Sequence, residues 1–134
     1  MEKKKYLKRR RGSVSQLEIM IGFVLILALV VALLKFVPVI ITKQKLDSFA
    51  GELIRYVEVR GRTDVSGIEE ELRSRYGINP KITYRAVYYK DRKVQIDDKI
   101  EVVLELEVKY SAFGVSTNIK LSTIRGGRSE VYWK

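Results

Sequence analysis

The spacing of apolar positions changes character three times along the chain. Residues 19–34 are apolar or glycine throughout, and after Lys35 the run resumes as Phe36, Val37, Pro38, Val39, Ile40 and Ile41. Counted through Lys35 this is a span of 23 residues, and a helix needs about 20 to cross a hydrocarbon core about 30 Å thick. Beyond Thr42 the apolar positions thin to Leu46, Phe49, Ala50, Leu53, Ile54 and Val57, three and four apart. Lys45, Asp47, Ser48, Glu52, Arg55 and Glu58 fill the other side. That is the stripe of an amphipathic helix, so one long helix is predicted over residues 13–60, with its transmembrane part at 19–41. Gly61, directly after Arg60, is the natural stop. Pro38 has no N–H for the Leu34 carbonyl and predicts a helix kink or a loosened turn. Lys35 reads as an interfacial residue that snorkels, or as a charge facing a neighbouring subunit.

A short second helix follows. Ser66-Gly67-Ile68-Glu69 matches a capping box, Ile68, Leu72 and Tyr76 make a narrow stripe, and Gly77 ends it before an Asn79-Pro80 turn. From Lys81 the period becomes two: Ile82, Tyr84, Ala86 and Tyr88 alternate with Thr83, Arg85, Val87 and Tyr89, up to a charged turn at Lys90-Asp91-Arg92-Lys93. A short strand is expected over residues 94–96, then a longer one with Ile100, Val102, Leu104, Leu106, Val108 and Tyr110 on one face. Ser111-Ala112-Phe113-Gly114 is read as a four-residue hairpin loop, with Val115, Thr117, Ile119 and Leu121 facing inward on the return strand. Gly126-Gly127 is read as a turn into a last segment in which Val131 and Trp133 share a side. A helical stripe and a sheet face both need cover, and each supplies it to the other. The fold class is α+β: a long N-terminal helix, part transmembrane and part amphipathic, packed on three to five antiparallel strands with one short extra helix. The domain plan is a basic leader or cytoplasmic arm at 1–12, the long helix at 13–60 and a small globular α+β part at 61–134.

Charge adds topology. Of the net charge of +10, most sits in residues 1–12, where Lys3, Lys4, Lys5, Lys8, Arg9, Arg10 and Arg11 face only Glu2. A basic block beside an apolar span keeps its side of the membrane cytoplasmic and attracts anionic headgroups. We read the block that way rather than as a nucleic-acid footprint. The apolar run is longer than a secretory core and no Ala-x-Ala-like site follows it, so the span is expected to be retained.

Chemistry is constrained by what the chain lacks. With no cysteine and no histidine, there are no disulfides, the common zinc, haem and iron–sulfur ligand sets are excluded, and so are Ser-His and Cys-His nucleophile pairs. Glu69-Glu70-Glu71 reads as dipole partners in a first helical turn rather than a metal site, and Asp97-Asp98 as a solvated turn rather than a calcium site. Tyr84, Tyr88, Tyr89 and Tyr110 suit sheet packing or subunit contacts better than a base-stacking platform. No catalytic residue, metal or cofactor is assigned, and an enzyme is not expected.

The motif that is present lies before the apolar run: Arg11-Gly12-Ser13, then Glu18, then the long helix. In this the chain resembles a prepilin of the type IV filament superfamily, and within it the TadE-like pseudopilins. It looks most like a small Firmicutes family of unknown function often found with conjugative elements. That likeness is carried by Leu46-Asp47-Ser48-Phe49-Ala50-Gly51-Glu52-Leu53-Ile54-Arg55-Tyr56, by Glu58-Val59-Arg60-Gly61-Arg62, and by Gly127-Arg128-Ser129-Glu130-Val131-Tyr132-Trp133-Lys134. The resemblance implies a pilin-like fold, cleavage between Gly12 and Ser13 by a prepilin peptidase-like protease, and pairing of Glu18 with the freed amine of a neighbouring subunit. A carboxylate in hydrocarbon is costly alone and tolerable with a cationic partner. Counted from Ser13, Glu18 is sixth where the superfamily's usual glutamate is fifth, which turns it about 100° further round the helix. An uncleaved chain with Arg11 or a lysine as the partner stays open, as does Glu18 as a plain interfacial residue.

The expected function is therefore that of a structural subunit of a type IV pilus-like or Tad-like filament. It would be a homopolymer, anchored by a single pass with the N-terminus inside and then displayed at the cell surface. Its partners would be its own copies, the bilayer, the protease and the assembly machinery. Gly22, Ala28 and Ala32 would allow the closest helix approaches. The alternative is a non-filament single-pass component of a conjugation or secretion apparatus; a membrane-tethered nucleic-acid-binding module is a third reading.

Overall fold

The computed structural model describes residues 15–134. Two helices and three strands follow in the order α1 (Gln16–Arg60), α2 (Ser66–Tyr76), β1 (Lys81–Ala86), β2 (Lys99–Ala112) and β3 (Val115–Arg128). The architecture is α+β. The chain divides into two compact units, one ending at Leu34 and one spanning Lys35–Lys134.

The described part of the first unit is the apolar start of α1. Phe23, Val24, Leu25 and Ile26, four successive positions that together circle the helix, are each at least 60 % exposed. A helix apolar on every side and uncovered finds no favourable state in water; lipid or other helices suit it. Among the described residues, α1 is the one helix long and apolar enough to cross a membrane.

The second unit is built as the period-3.6 stripe requires. Leu46, Phe49, Ala50, Leu53, Ile54 and Val57 of α1 are all buried, in one cluster with Leu72 of α2, Ile100, Val102 and Leu104 of β2, and the loop residues Val65 and Val94. The sheet is antiparallel in the order β1-β2-β3, with Tyr84 opposite Val102 and Leu104 opposite Thr123. Gly61 closes α1 in the left-handed region at φ +59°, its amide bonded to the Val57 carbonyl at 2.8 Å. The Thr42 hydroxyl donates to the Pro38 carbonyl at 2.8 Å, one turn after the proline.

Several local expectations are corrected. Ser66 is not a cap: the N-cap is Val65, without a side-chain bond, and the Glu69 amide bonds the Val65 carbonyl instead. The Glu69 side chain accepts the Tyr84 hydroxyl of β1, a tertiary bond that outcompetes the local box. The β2–β3 loop is two residues, Phe113-Gly114, because Ala112 pairs with Val115. Val115 and Thr117 are exposed; the inward face of β3 begins at Ile119 and Leu121. β1 stops at Ala86, and residues 94–96 form no strand; nearby Lys93 makes only isolated bridges. Gly126-Gly127 is not a turn but lies inside β3, opposite Glu101 and Ile100. A Cβ on Gly127 would fall against the Glu58 carboxylate, so the glycine permits close approach of α1 to the strand.

Candidate functional site

The residues assigned to leader processing, Gly12 and Ser13, lie outside the described residues. What is described is the start of α1. The Ser15 amide donates to Glu18 Oε2 at 3.0 Å, and the Glu18 amide donates to Ser15 Oγ at 3.3 Å. This is a reciprocal capping box, Ser15-Gln16-Leu17-Glu18. Two of the amides that a helix start leaves unbonded are satisfied by it, and the carboxylate sits at the positive end of the helix dipole. Sequence reasoning looked for the box at Ser66 and missed it here, although the Ser-x-x-Glu signal before an apolar run is the same. Glu18 is exposed, and its box uses one carboxylate oxygen, which leaves acceptor capacity on the group.

The small residues nominated for helix approach do not form one stripe. Ala28 and Ala32 are four apart and share a face, whereas Gly22 lies six positions before Ala28, about 120° round the axis. Gly22 is instead four residues after Glu18, so these two share a face. A Cβ at Gly22 would meet nothing within 4 Å.

At the other end of α1 the chain is tied to its own C-terminal segment. Glu58 Oε1 accepts the Arg128 amide at 2.9 Å, and the Glu58 carbonyl accepts the Glu130 amide at 3.0 Å. The Ser129 hydroxyl, buried, donates to the Val94 carbonyl at 2.8 Å. Trp133 Nε1 donates to the Gly61 carbonyl at 3.3 Å, and Lys93 Nζ sits 4.5 Å from the centre of the indole. Gln95 brackets the Trp133 backbone, accepting its amide at 2.6 Å and donating to its carbonyl at 3.0 Å. The motifs around Arg60-Gly61 and Ser129–Trp133, far apart in sequence, thus form one structural clamp.

A third cluster joins α1 to β3. Lys43 Nζ donates to Asp47 Oδ1 at 2.9 Å, to the Ser122 carbonyl at 2.6 Å and to Thr123 Oγ1 at 3.2 Å. The Thr123 hydroxyl in turn donates to Asp47. The Thr123 and Lys43 bonds hold the Asp47 carboxyl below its ordinary pKa.

The acidic and aromatic residues with alternative readings fall into structural pairs. Glu70 pairs with Arg73, Glu71 with Arg75, and Asp97 with Arg128. No group of three metal-ligating side chains occurs among the described residues. The tyrosines form no common platform. Tyr84 is bonded to Glu69, and burial with that contact pushes its hydroxyl pKa far up. Tyr88 accepts from Thr63 at 3.1 Å, and Tyr110 packs edge-on against Phe36 with ring centres 5.8 Å apart.

One family model matches the chain, over residues 23–134; its description is a domain of unknown function (DUF4320). No curated protein and no solved structure matches.

Proposed function

The chain belongs to the DUF4320 family, and we propose that it is a structural subunit of a pilus-like filament, inserted by α1 as a single pass with its N-terminus inside. The observation that carries this reading is the first turn of α1: a capped helix start bearing Glu18, followed at once by a helix apolar on every side. A membrane anchor alone needs the apolar length but no acid at its head. A filament of stacked helices uses both, because packing replaces lipid around the apolar surface while the carboxylate meets a cationic N-terminus. Since Gly22 and Glu18 share a face, a neighbouring helix drawn close at Gly22 also lies beside the carboxylate. The amphipathic remainder of α1, buried against the sheet, would carry the globular part on the filament surface.

The test is imaging of sheared cell-surface fibres together with the mass of the mature N-terminus. The expected result is fibres containing this chain, with a first residue of Ser13. A chain found only in a membrane complex, never in fibres, would instead identify a non-filament component of a conjugation or secretion apparatus.

A further inference from the structure

The hairpin that joins β2 to β3 breaks a local rule without internal compensation. Phe113 and Gly114 both have positive φ, +51° and +79°, as a two-residue turn with the twist of its flanking strands requires. Asn, Asp or Gly normally occupies the first of these positions, since an L side chain with a Cβ is strained there. The second such turn in this protein obeys polarity, with Asp91 and Arg92 at φ +45° and +59°. In the β2–β3 turn the strained position carries a phenylalanine that is 65 % exposed, and the next strand residue, Val115, is 70 % exposed. Neither turn preference nor packing among the described residues accounts for two large apolar groups at this tip.

Its place in the fold supplies a reason. Two contacts fix the direction in which the hairpin runs along α1: Lys43 meets Ser122 and Thr123, and Phe36 meets Tyr110, which pairs with Thr117. Going from the first contact to the second moves towards the tip on β3 and towards the apolar run on α1. Phe113 lies three residues past Tyr110, up to about 10 Å further at about 3.3 Å per residue. At the level of the second contact α1 is already apolar and exposed, at Phe36, Val37 and Ile40.

We infer that the tip formed by Phe113, Gly114 and Val115 enters the bilayer interface, as a second membrane contact of the domain. Lipid, rather than a protein groove, is the occupant, because the hairpin runs towards the exposed apolar residues Phe36, Val37 and Ile40 of α1, and its chemistry is that of an interfacial anchor: Tyr110 followed by a tip that exposes Phe113 and Val115. Two attachments, α1 and the hairpin, would fix the tilt and rotation of the globular part over the membrane.

The inference rests on insertion of α1 but not on filament assembly, and the experiment separates these. The chain has no cysteine, so single-cysteine variants Ile26→Cys, Asp91→Cys and Val115→Cys of the full chain can each carry an environment-sensitive fluorophore. Each is reconstituted in phosphatidylcholine–phosphatidylglycerol vesicles with and without lipids bearing a nitroxide quencher near the headgroup, and position 26 also with the nitroxide on the acyl chain. Quenching at position 115 at least about twice that at position 91, independent of protein-to-lipid ratio, is expected. Quenching at 26 with 115 no different from 91 would overturn the hairpin contact and leave the membrane helix standing. No quenching at 26 by the acyl-chain nitroxide would remove both. A blue shift at 115 that grows with protein density, without lipid quenching, would assign the tip to a second copy of the chain and overturn the lipid contact.

Discussion

Ser15 and Glu18 satisfy each other across the first turn of α1, each backbone amide bonded to the other's side chain. One carboxylate thereby has a local role, capping the start of a helix, and in the proposed filament a second, meeting a cation from another subunit. The two roles are separable because a glutamine can accept the Ser15 amide but carries no charge.

Glu18→Gln is expected to keep the first turn of α1 formed, read by amide hydrogen exchange in detergent. Fibre yield should fall by about tenfold or more through loss of the charge partner. Glu18→Ala should lose both, and Ser15→Ala should loosen the first turn by about 0.5–2 kcal/mol while the charge remains. Wild-type fibre yield for Glu18→Gln would assign the residue to capping alone.

The two left-handed helix ends provide an internal comparison. A Cβ at Gly61 would lie 2.7 Å from Val131 Cβ and 2.9 Å from Ser129 Oγ, whereas one at Gly77 meets nothing within 4 Å. Gly77→Ala should cost only the strained conformation, about 1 kcal/mol. Gly61→Ala should cost that and the displacement of the C-terminal clamp, about 2–4 kcal/mol in all. Urea midpoints of the detergent-solubilised chain measure the difference.

The Asp47 cluster predicts a direction for acid sensitivity. The folded-state pKa of Asp47 is below its unfolded value, so the stabilisation is complete above the ordinary carboxylate range and is lost as pH falls through the folded pKa. Asp47→Asn should therefore be less stable than wild type at pH 6, and the gap should close as pH drops below about 4. A gap that is constant with pH would show that the carboxylate's charge does not contribute.

The contrast between Ser66 and Tyr84 shows how far the sequence could be read. The stripe from Leu46 to Val57 and the alternation of β2 were legible because periodicity reports which face is buried: the stripe and Ile100, Val102 and Leu104 are buried as expected, while Leu106, Val108 and Tyr110 further along the same face are half-buried. Devices that depend on a distant partner were not. Glu69 has a local role by spacing and a tertiary one in the fold; Gly127 reads as a turn by sequence, whereas in the fold Glu58 occupies the place its side chain would take. The candidate site was half visible: Glu18 was singled out for its position, but its capping bond to Ser15 was not. Ser66→Ala should accordingly be close to neutral, within about 0.5 kcal/mol. Tyr84→Phe, which strands Glu69 without its donor, should cost about 1 kcal/mol or more.

The C-terminal clamp supplies the last prediction, through non-additivity. Trp133 reaches the end of α1 through its Nε1–H and stacks beneath Lys93, while Gln95 holds the backbone of the same residue from both sides. These are two sets of bonds on one segment. If both serve to dock that segment, breaking either one frees the segment and removes most of what the other contributed. Gln95→Ala removes two hydrogen bonds, about 1–2 kcal/mol, and Trp133→Ala removes a half-buried aromatic with its donor, about 2–3 kcal/mol. The double variant should lose less than the sum by about 1 kcal/mol, since contacting residues in one network couple. Trp133→Phe isolates the donor: the ring under Lys93 stays and the bond to the Gly61 carbonyl goes, for about 1 kcal/mol. Strict additivity in the double-mutant cycle would mean that the clamp is two independent contacts, and that the segment from Ser129 to Trp133 does not dock as a unit.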